Sequence, residues 1–487
     1  MKPLPLSHIA RAVNGRLVGD DIAIEALVTD TRKLDANAAQ VALFVALKGE
    51  NFDGNDYVAK AAALGARAAL VSRESDAGIP QVVVANTELA LAQLATSMQR
   101  ERRTKVVAVT GSNGKTSVKT LISTILAGAG RTYATPGNRN NEIGMPLAVI
   151  DAPEDAEFAV YEMGTGKPGD IAYLTAIAPP DAALVNNVAP AHLERMGSLL
   201  EIANTKSAVY DDLRTDGVAA INADDAFAPY FAERAHGHRL IRFALEANAD
   251  VTARDITLGD DSARFVLVTP EGEAAVTLAM PGRHNVLNAL AATALALGAG
   301  VPLATIAAGI VATRPVQGRL NTHRLVGDIT LIDDSYNANP GSLNAAIDTM
   351  AASGGERWLV LGDMRELGDD AAALHAEVGR RAKASGIARL YALGELSAAA
   401  ANAFGDGART FADHAALTEA LRADLAARAA MREAAGGEGA PLRVLVKGSR
   451  GSAMDRIVNN MLVKGMLVKD MLAGEAQTAS GGDIHAA

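Results

Sequence analysis

The residue types best suited to chemistry are concentrated in Thr110-Gly111-Ser112-Asn113-Gly114-Lys115-Thr116-Ser117. Two glycines let backbone N–H groups close around a phosphate. Lys115 brings a positive charge to the outer phosphates, and the Thr116 hydroxyl suits Mg²⁺. The elements that must hold these groups can be read on either side. Val106–Val109 is an apolar run of strand character, and Val118, Leu121, Ile122, Ile125 and Leu126 recur at helical spacing. Strand, glycine loop and helix, in that order, direct a helix N-terminus at a bound anion. The loop is a compressed P-loop: the usual spacing puts a first glycine where Val109 stands, whereas Gly111 lies only three residues before Gly114. A ligand-free glycine-rich turn is the alternative, and the Gly-Lys-Thr run argues against it.

Other polar residues fall where apolar strands end, which is where parallel sheets place ligands. Phe158–Tyr161 ends at Glu162, and Ala182–Val185 leads into Asn186-Asn187-Val188-Ala189-Pro190-Ala191-His192. Glu162 and His192 are therefore expected at the P-loop mouth, as ligands of Mg²⁺ or its waters. Arg131–Thr135 reads as a strand running into Pro136-Gly137-Asn138-Arg139-Asn140-Asn141-Glu142-Ile143-Gly144-Met145-Pro146. That density of amides suits recognition of a polar ligand better than a core or a helix. Asn285 and Asn288, at the start of a helix to about Leu297, share one helical face. They fit either an adenine edge or a helix cap with a surface neighbour. Lys206, in the amphipathic stretch Glu201–Tyr210, reads by itself as a surface lysine, and the turn Asp30–Lys33 as solvated surface.

The 487 residues suffice for about three domains. The apolar fraction of 49% supports sizeable cores, and a formal net charge of −10 argues against general nucleic-acid binding. With no cysteine, thiol catalysis, disulfides and Cys-ligated zinc are excluded. The start, MKPLPLSHIARAVNG, lacks the apolar core of a secretory signal. Apolar stretches such as Leu287–Leu297 are too short to span a membrane. A cytoplasmic, monomeric protein without membrane insertion is expected. Strands alternating with helices predict an α/β protein of three domains. Residues 1–103 form a small α/β unit, and 104–313 a P-loop mononucleotide-binding unit with a mostly parallel sheet. Residues 314–472 form a Rossmann-like, doubly wound unit, and 473–487 a disordered tail. In the third unit Gln317-Gly318-Arg319-Leu320 is a turn, and Thr330–Ile332 ends at Asp333-Asp334-Ser335-Tyr336-Asn337-Ala338-Asn339-Pro340.

These motifs together resemble the Mur ligases of bacterial cell-wall synthesis, from Asp30 to about Met454. TGSNGKT, the Glu162 strand end, NNVAPAHL, GRHNVLN, GRL and DDSYNANP carry the likeness to the family. LFVALKGENFDG, GNRNNEIGMP, VLGDMRELG and VKGSRGSAM resemble the member that adds D-alanyl-D-alanine to UDP-N-acetylmuramoyl-tripeptide. The resemblance implies ATP, Mg²⁺ and these two substrates, with an acyl-phosphate intermediate. It implies that Gly111 to Ser117, Asn285, Asn288, Arg319 and Asp334 bind ATP. Lys115, Glu162, His192 and Lys206 would be catalytic, with Thr116, Glu162 and His192 on metal. Lys206 matches the position carbamylated in this family, which turns a cation into an oxygen ligand. Thr31, Arg32, Lys48, Asp53 and Asn55 would hold the UDP-sugar. Asn138, Asn140 and Asn141 would line the peptide path, with Asn337 and Asn339 on the dipeptide side. Asn55 departs from the histidine usual after Asp-Gly. A folylpolyglutamate synthetase-like ligase and a non-catalytic nucleotide-binding protein are the competing readings.

Overall fold

Alternating strands and helices sort into three α/β domains, with a small antiparallel sheet attached to the second. The architecture is that of a computed structural model describing residues 1–35, 40–190, 193–436 and 438–463. The first domain carries a five-stranded sheet whose neighbours run Arg16–Val18, Gln81–Val83, Ala68–Val71, Ala42–Val45 and Ala26–Val28. Only the Arg16–Val18 edge is antiparallel.

The second domain holds six strands, all parallel, in the order Arg239–Phe243, Val218–Asn222, Ala182–Val185, Lys105–Thr110, Phe158–Glu162, Thr132–Ala134. The P-loop strand Lys105–Thr110 lies between its two partners, and the chain reverses its direction of travel across the sheet beside it. That reversal opens a crevice at the carboxyl ends of the strands. The strands read as near-continuous apolar runs because helices cover both faces. On one face Lys115–Ala127 and Arg283–Gly298 bury Val118, Leu121, Ile122, Ile125 and most of the alanine-rich 289–297. Between Phe243 and Leu278 the strands Thr252–Leu258, Ala263–Thr269 and Gly272–Leu278 pair in sequence as a three-stranded antiparallel sheet.

The third domain is a six-stranded sheet in the order Asn321–Leu325, Ile329–Asp334, Leu442–Lys447, Glu356–Gly362, Arg389–Leu393, Ala408–Phe411. Its first pair is antiparallel and the rest parallel. Glycine lets two of its helices touch: a Cβ at Gly379 would lie 2.1 Å from Ala400 O. One apolar cluster is continuous from Leu6 and Leu91 through Val149 and Leu174 to Phe231, so the first two domains share a core. The clusters of the third domain begin at Leu320 and take no residue from the other two.

Among the described residues no helix is long and apolar enough to cross a membrane. The expected tail 473–487 lies outside the described residues, as does His192.

Candidate active site

Gly114 takes φ +77, and a Cβ there would stand 2.5 Å from both Asn186 Nδ2 and Asn288 Oδ1, so only glycine fits. The P-loop is laced to the end of the neighbouring strand. Ser112 N donates to Asn187 O at 2.9 Å, Asn113 N to Asn187 Oδ1 at 2.8 Å, and Asn186 Nδ2 to Asn113 O at 3.0 Å. Lys115 opens the helix Lys115–Ala127 and donates from Nζ to Gly111 O at 2.6 Å. Enclosure pulls its ammonium pKa down, and Arg319 adds to this while Glu162 opposes it.

Parallel register sets Glu162 opposite Val109, one residue before the loop begins. Glu162 is 3% exposed, and three protein donors converge on its carboxylate. Thr116 Oγ1 donates to Oε2 at 3.0 Å, Asn140 Nδ2 to Oε1 at 2.8 Å, and Lys119 Nζ lies 3.1 Å from Oε2. Burial pushes the Glu162 pKa up, but the charges of Lys119 and Lys115 and the Asn140 bond outweigh it and leave the net shift downward. Lys119 escaped the sequence reading. Its position four residues past Lys115, on the same face of the helix, was the available signal.

The third domain reaches the same place. Arg319 Nη2 donates to Thr116 Oγ1 at 2.9 Å while its guanidinium lies 4.5 Å over the Tyr336 ring. Asn339 Nδ2 donates to Asn113 Oδ1 at 2.8 Å, and Asn339 also caps the helix Pro340–Ala352. Asp334 is bonded by Lys447, which donates to Asn337 O as well. Burial raises the Asp334 pKa against the pull of Lys447.

These groups line a cleft of ≈ 660 Å³ between the second and third domains. Ser112 to Ser117, Glu162, Asn285, Asn288, Arg319, Asp334, Asn337, Asn339, Asn138, Asn140 and Asn141 all border it. Arg319 Nε is buried without a hydrogen-bond partner among the described residues. A buried orphan donor beside a P-loop fits a phosphate oxygen.

Three expectations change on contact with the structure. Asn288 Oδ1 accepts from Asn186, Asn288 Nδ2 donates to Asn285 Oδ1, and Asn285 Nδ2 donates to Pro281 O. Asn288 braces the strand end beside the P-loop through Asn186, and Asn285 holds Asn288 in turn. Both are buried rather than surface neighbours and both border the cleft, so spacing alone could not separate bracing from adenine contact. Asn55 is buried: it donates to Asp53 and Ser72 and accepts from Ser72 N, so it shapes its loop from inside. Lys206 is 2% exposed on the helix Leu199–Ser207, not a surface residue. Burial drives its pKa far down, with Lys115 adding to the effect.

Thr31, Arg32, Lys48 and Asp53 do not border the interdomain cleft. They follow Ala26–Val28 and Ala42–Val45, adjacent parallel strands, at the carboxyl edge of the first sheet. Arg32 is exposed and bonded to Asp30, as a solvated turn requires.

Mg²⁺ is tested by the donor set. Thr116 Oγ1 and Glu162 Oε2 are hydrogen-bonded oxygens 3.0 Å apart, both of a type that could ligate a hard cation. Among the described residues no group of three or more His, Cys, Asp or Glu could hold a metal by itself. That set fits Mg²⁺, which takes one or two carboxylates and completes its shell with phosphate oxygens and water.

A P-loop on a parallel sheet, a buried carboxylate beside its threonine and an arginine from a Rossmann-like domain define an ATP-dependent ligase architecture, and the chain belongs to the Mur ligase family. Models of that family match in series: the Mur ligase family catalytic domain over residues 24–109, the Mur ligase middle domain over 109–296 and the Mur ligase glutamate ligase domain over 318–450. The particular member it is similar to is UDP-N-acetylmuramoyl-tripeptide–D-alanyl-D-alanine ligase. The protein of that name from Escherichia coli K12 is 41% identical, over 96% of this chain and 100% of that one. MurF from Acinetobacter baumannii superposes with a TM-score of 0.88 at 33% identity, covering 95% of this chain and all of the other. MurF ligase from Thermotoga maritima, crystallised with ADP, gives 0.78 at 26%, covering 90% and 97%.

Proposed function

We propose that this chain joins D-alanyl-D-alanine to the terminal carboxylate of UDP-N-acetylmuramoyl-tripeptide, with ATP converted to ADP and phosphate. The observation that carries the reading is convergence on one hydroxyl: Thr116 Oγ1 contacts Glu162 from the parallel sheet and Arg319 from the third domain, inside a single cleft. A full-length relative at 41% identity bears the name of this reaction.

The peptide carboxylate attacks the γ-phosphorus, the bond to the ADP oxygen breaks, and an acyl phosphate forms. The deprotonated amine of D-alanyl-D-alanine then adds to the acyl carbon, and phosphate leaves with the bonding electrons. P-loop N–H groups and Lys115 bind the phosphates, and Arg319 offsets negative charge where the phosphoryl group moves. Thr116 and Glu162 would hold Mg²⁺, which supplies charge neutralisation and alignment of phosphate oxygens. Asp334 and Lys447 face the nucleotide from the third domain. Asn138 and Asn141 line the peptide limb, and Asn337 stands on the dipeptide side. Thr31, Arg32, Lys48 and Asp53 take the UDP-sugar at the edge of the first sheet. The domain limits near 103 and 313 and a monomeric, cytoplasmic state belong to the same reading.

Lys206 is proposed as a carbamate. Burial and the charge of Lys115 both disfavour the ammonium form of a lysine 2% exposed, and a neutral amine is the form that adds CO₂. Lys206→Ala should lose most activity, and an added short carboxylic acid should restore part of it. Wild-type turnover in that variant would remove Lys206 from the mechanism.

The decisive assay is phosphate release with ATP, Mg²⁺ and UDP-N-acetylmuramoyl-tripeptide, with and without D-alanyl-D-alanine. Release that requires both substrates, with a product heavier by one dipeptide residue, is expected. Release indifferent to the dipeptide would mean a different acceptor.

A further inference from the structure

Among the described residues, Lys119 is a buried cation at this site that the reaction scheme does not use. Lysine is almost never fully buried without partners, and Lys119 is 6% exposed. Its ammonium has three N–H donors and meets three acceptors: Thr135 O at 3.1 Å, Gly137 O at 2.8 Å and Glu162 Oε2 at 3.1 Å. The two carbonyls flank Pro136, at the root of the amide-rich loop. That loop returns to the same carboxylate through Asn140 Nδ2, 2.8 Å from Glu162 Oε1. A closed ring results: Lys119, Gly137, the loop to Asn140, Glu162, and Lys119 again. Glu162 N donates to Thr135 Oγ1 at 3.1 Å and braces the ring from the strand.

Two backbone carbonyls alone could be held by a neutral donor. A buried charge is required only because the third acceptor is Glu162. The same cation therefore fixes both limbs of the cleft. On one side Glu162 and Thr116 face the phosphates. On the other, Asn138 and Asn141 project from the loop into the peptide limb.

We propose that Lys119 is a positioning residue that locks the amide loop to the Glu162 carboxylate, so that binding of the anionic sugar-peptide and alignment for phosphoryl transfer depend on it, while nucleotide binding does not. The inference rests on the ligase reading above. It concerns how the peptide limb is held, not which reaction occurs.

The test compares Lys119→Met, which keeps length and removes the charge, with Lys119→Arg, which keeps the charge. Steady-state kinetics give separate KM values for ATP and for UDP-N-acetylmuramoyl-tripeptide, calorimetry gives affinity for ADP with Mg²⁺, and melting reports the fold. In Lys119→Met the KM for the sugar-peptide should rise and kcat fall, each by roughly 10–100-fold, the scale for partners that orient a ligand. ADP affinity should hold within about threefold, and Lys119→Arg should recover part of both losses. A lowered melting temperature with both KM values unchanged, or equal rises in both, overturns the proposal.

Lys119→Met leaves the Glu162 charge buried beside an apolar chain, which costs stability. Lys119→Met with Glu162→Gln removes that charge. Sugar-peptide binding by calorimetry is then compared with Glu162→Gln alone. Weaker binding in the double variant supports the lock, and equal binding overturns it. A wild-type protein without dipeptide-dependent phosphate release would refute the ligase reading instead, a separate outcome seen before any variant is made.

Discussion

At the scale of single residues, the phosphate assignment rests on Lys115. Its ammonium is held by Gly111 O until an anion arrives, and it starts the helix whose dipole faces the loop. Lys115→Ala should therefore lower kcat by about 10²–10³-fold or more, the cost of deleting one pre-organised electrostatic donor. Circular dichroism should be unchanged. A folded variant with undiminished phosphate release would end the assignment. Lys115, Thr116 and Glu162 were legible in the sequence because a strand, a glycine loop and a strand end each fix position through local rules. Lys119, Lys447 and His284 were not. Their roles come from partners on other elements: Lys119 meets Thr135 and Glu162, and Lys447 meets Asp334, 113 residues away in the chain. Asn55 was misread for the same reason, since a buried amide and a ligand-facing amide have the same letters around them.

At the scale of elements, alternation and strand ends were readable to within a residue or two. Phe158–Tyr161 extends to Glu162, and Glu201–Tyr210 becomes the helix Leu199–Ser207 followed by a tighter turn Ala208–Tyr210. Sheet order was not legible, because parallel neighbours are set by crossovers rather than by adjacent residues. Helix contacts were also hidden. The P-loop helix is backed by Leu303–Ala312, and Gly309 makes that approach possible: a Cβ there would lie 2.5 Å from Ile125 Cα. Backbone atoms cannot swing aside as a side-chain tip does. Gly309→Ala should therefore destabilise the protein by about 1–3 kcal/mol through overpacking, despite the better helix propensity of alanine. Urea unfolding gives the answer. An unchanged or raised midpoint would mean that the two helices do not meet at Gly309.

At the scale of the whole molecule, the apolar cores divide two to one: the first two domains share a cluster, and the third keeps its own. The third domain is joined to the second by polar contacts, namely Arg319 to Thr116, Asn339 to Asn113 and Arg443 to Asp260. Polar seams open and close more readily than shared cores, which suits a ligase that must admit substrates and then exclude water from an acyl phosphate. The seam also carries a titratable group. His284, at the start of Arg283–Gly298, has its pKa lowered to about 4 by burial, with Lys447 of the third domain adding to the shift and Asp348 opposing it. The unfolded chain takes up this proton near the usual 6.5 and the folded one only near 4. Stability is therefore full above the unfolded value and falls as the pH drops through that window, because the unfolded state binds the proton first. His284→Gln, which cannot titrate there, should lose less melting temperature than the wild type between about pH 7 and about pH 5. Parallel losses in the two proteins would mean that His284 is solvated as an imidazolium and that the seam is open in solution. A steeper loss in the wild type places the neutral imidazole against Lys447 in the closed form.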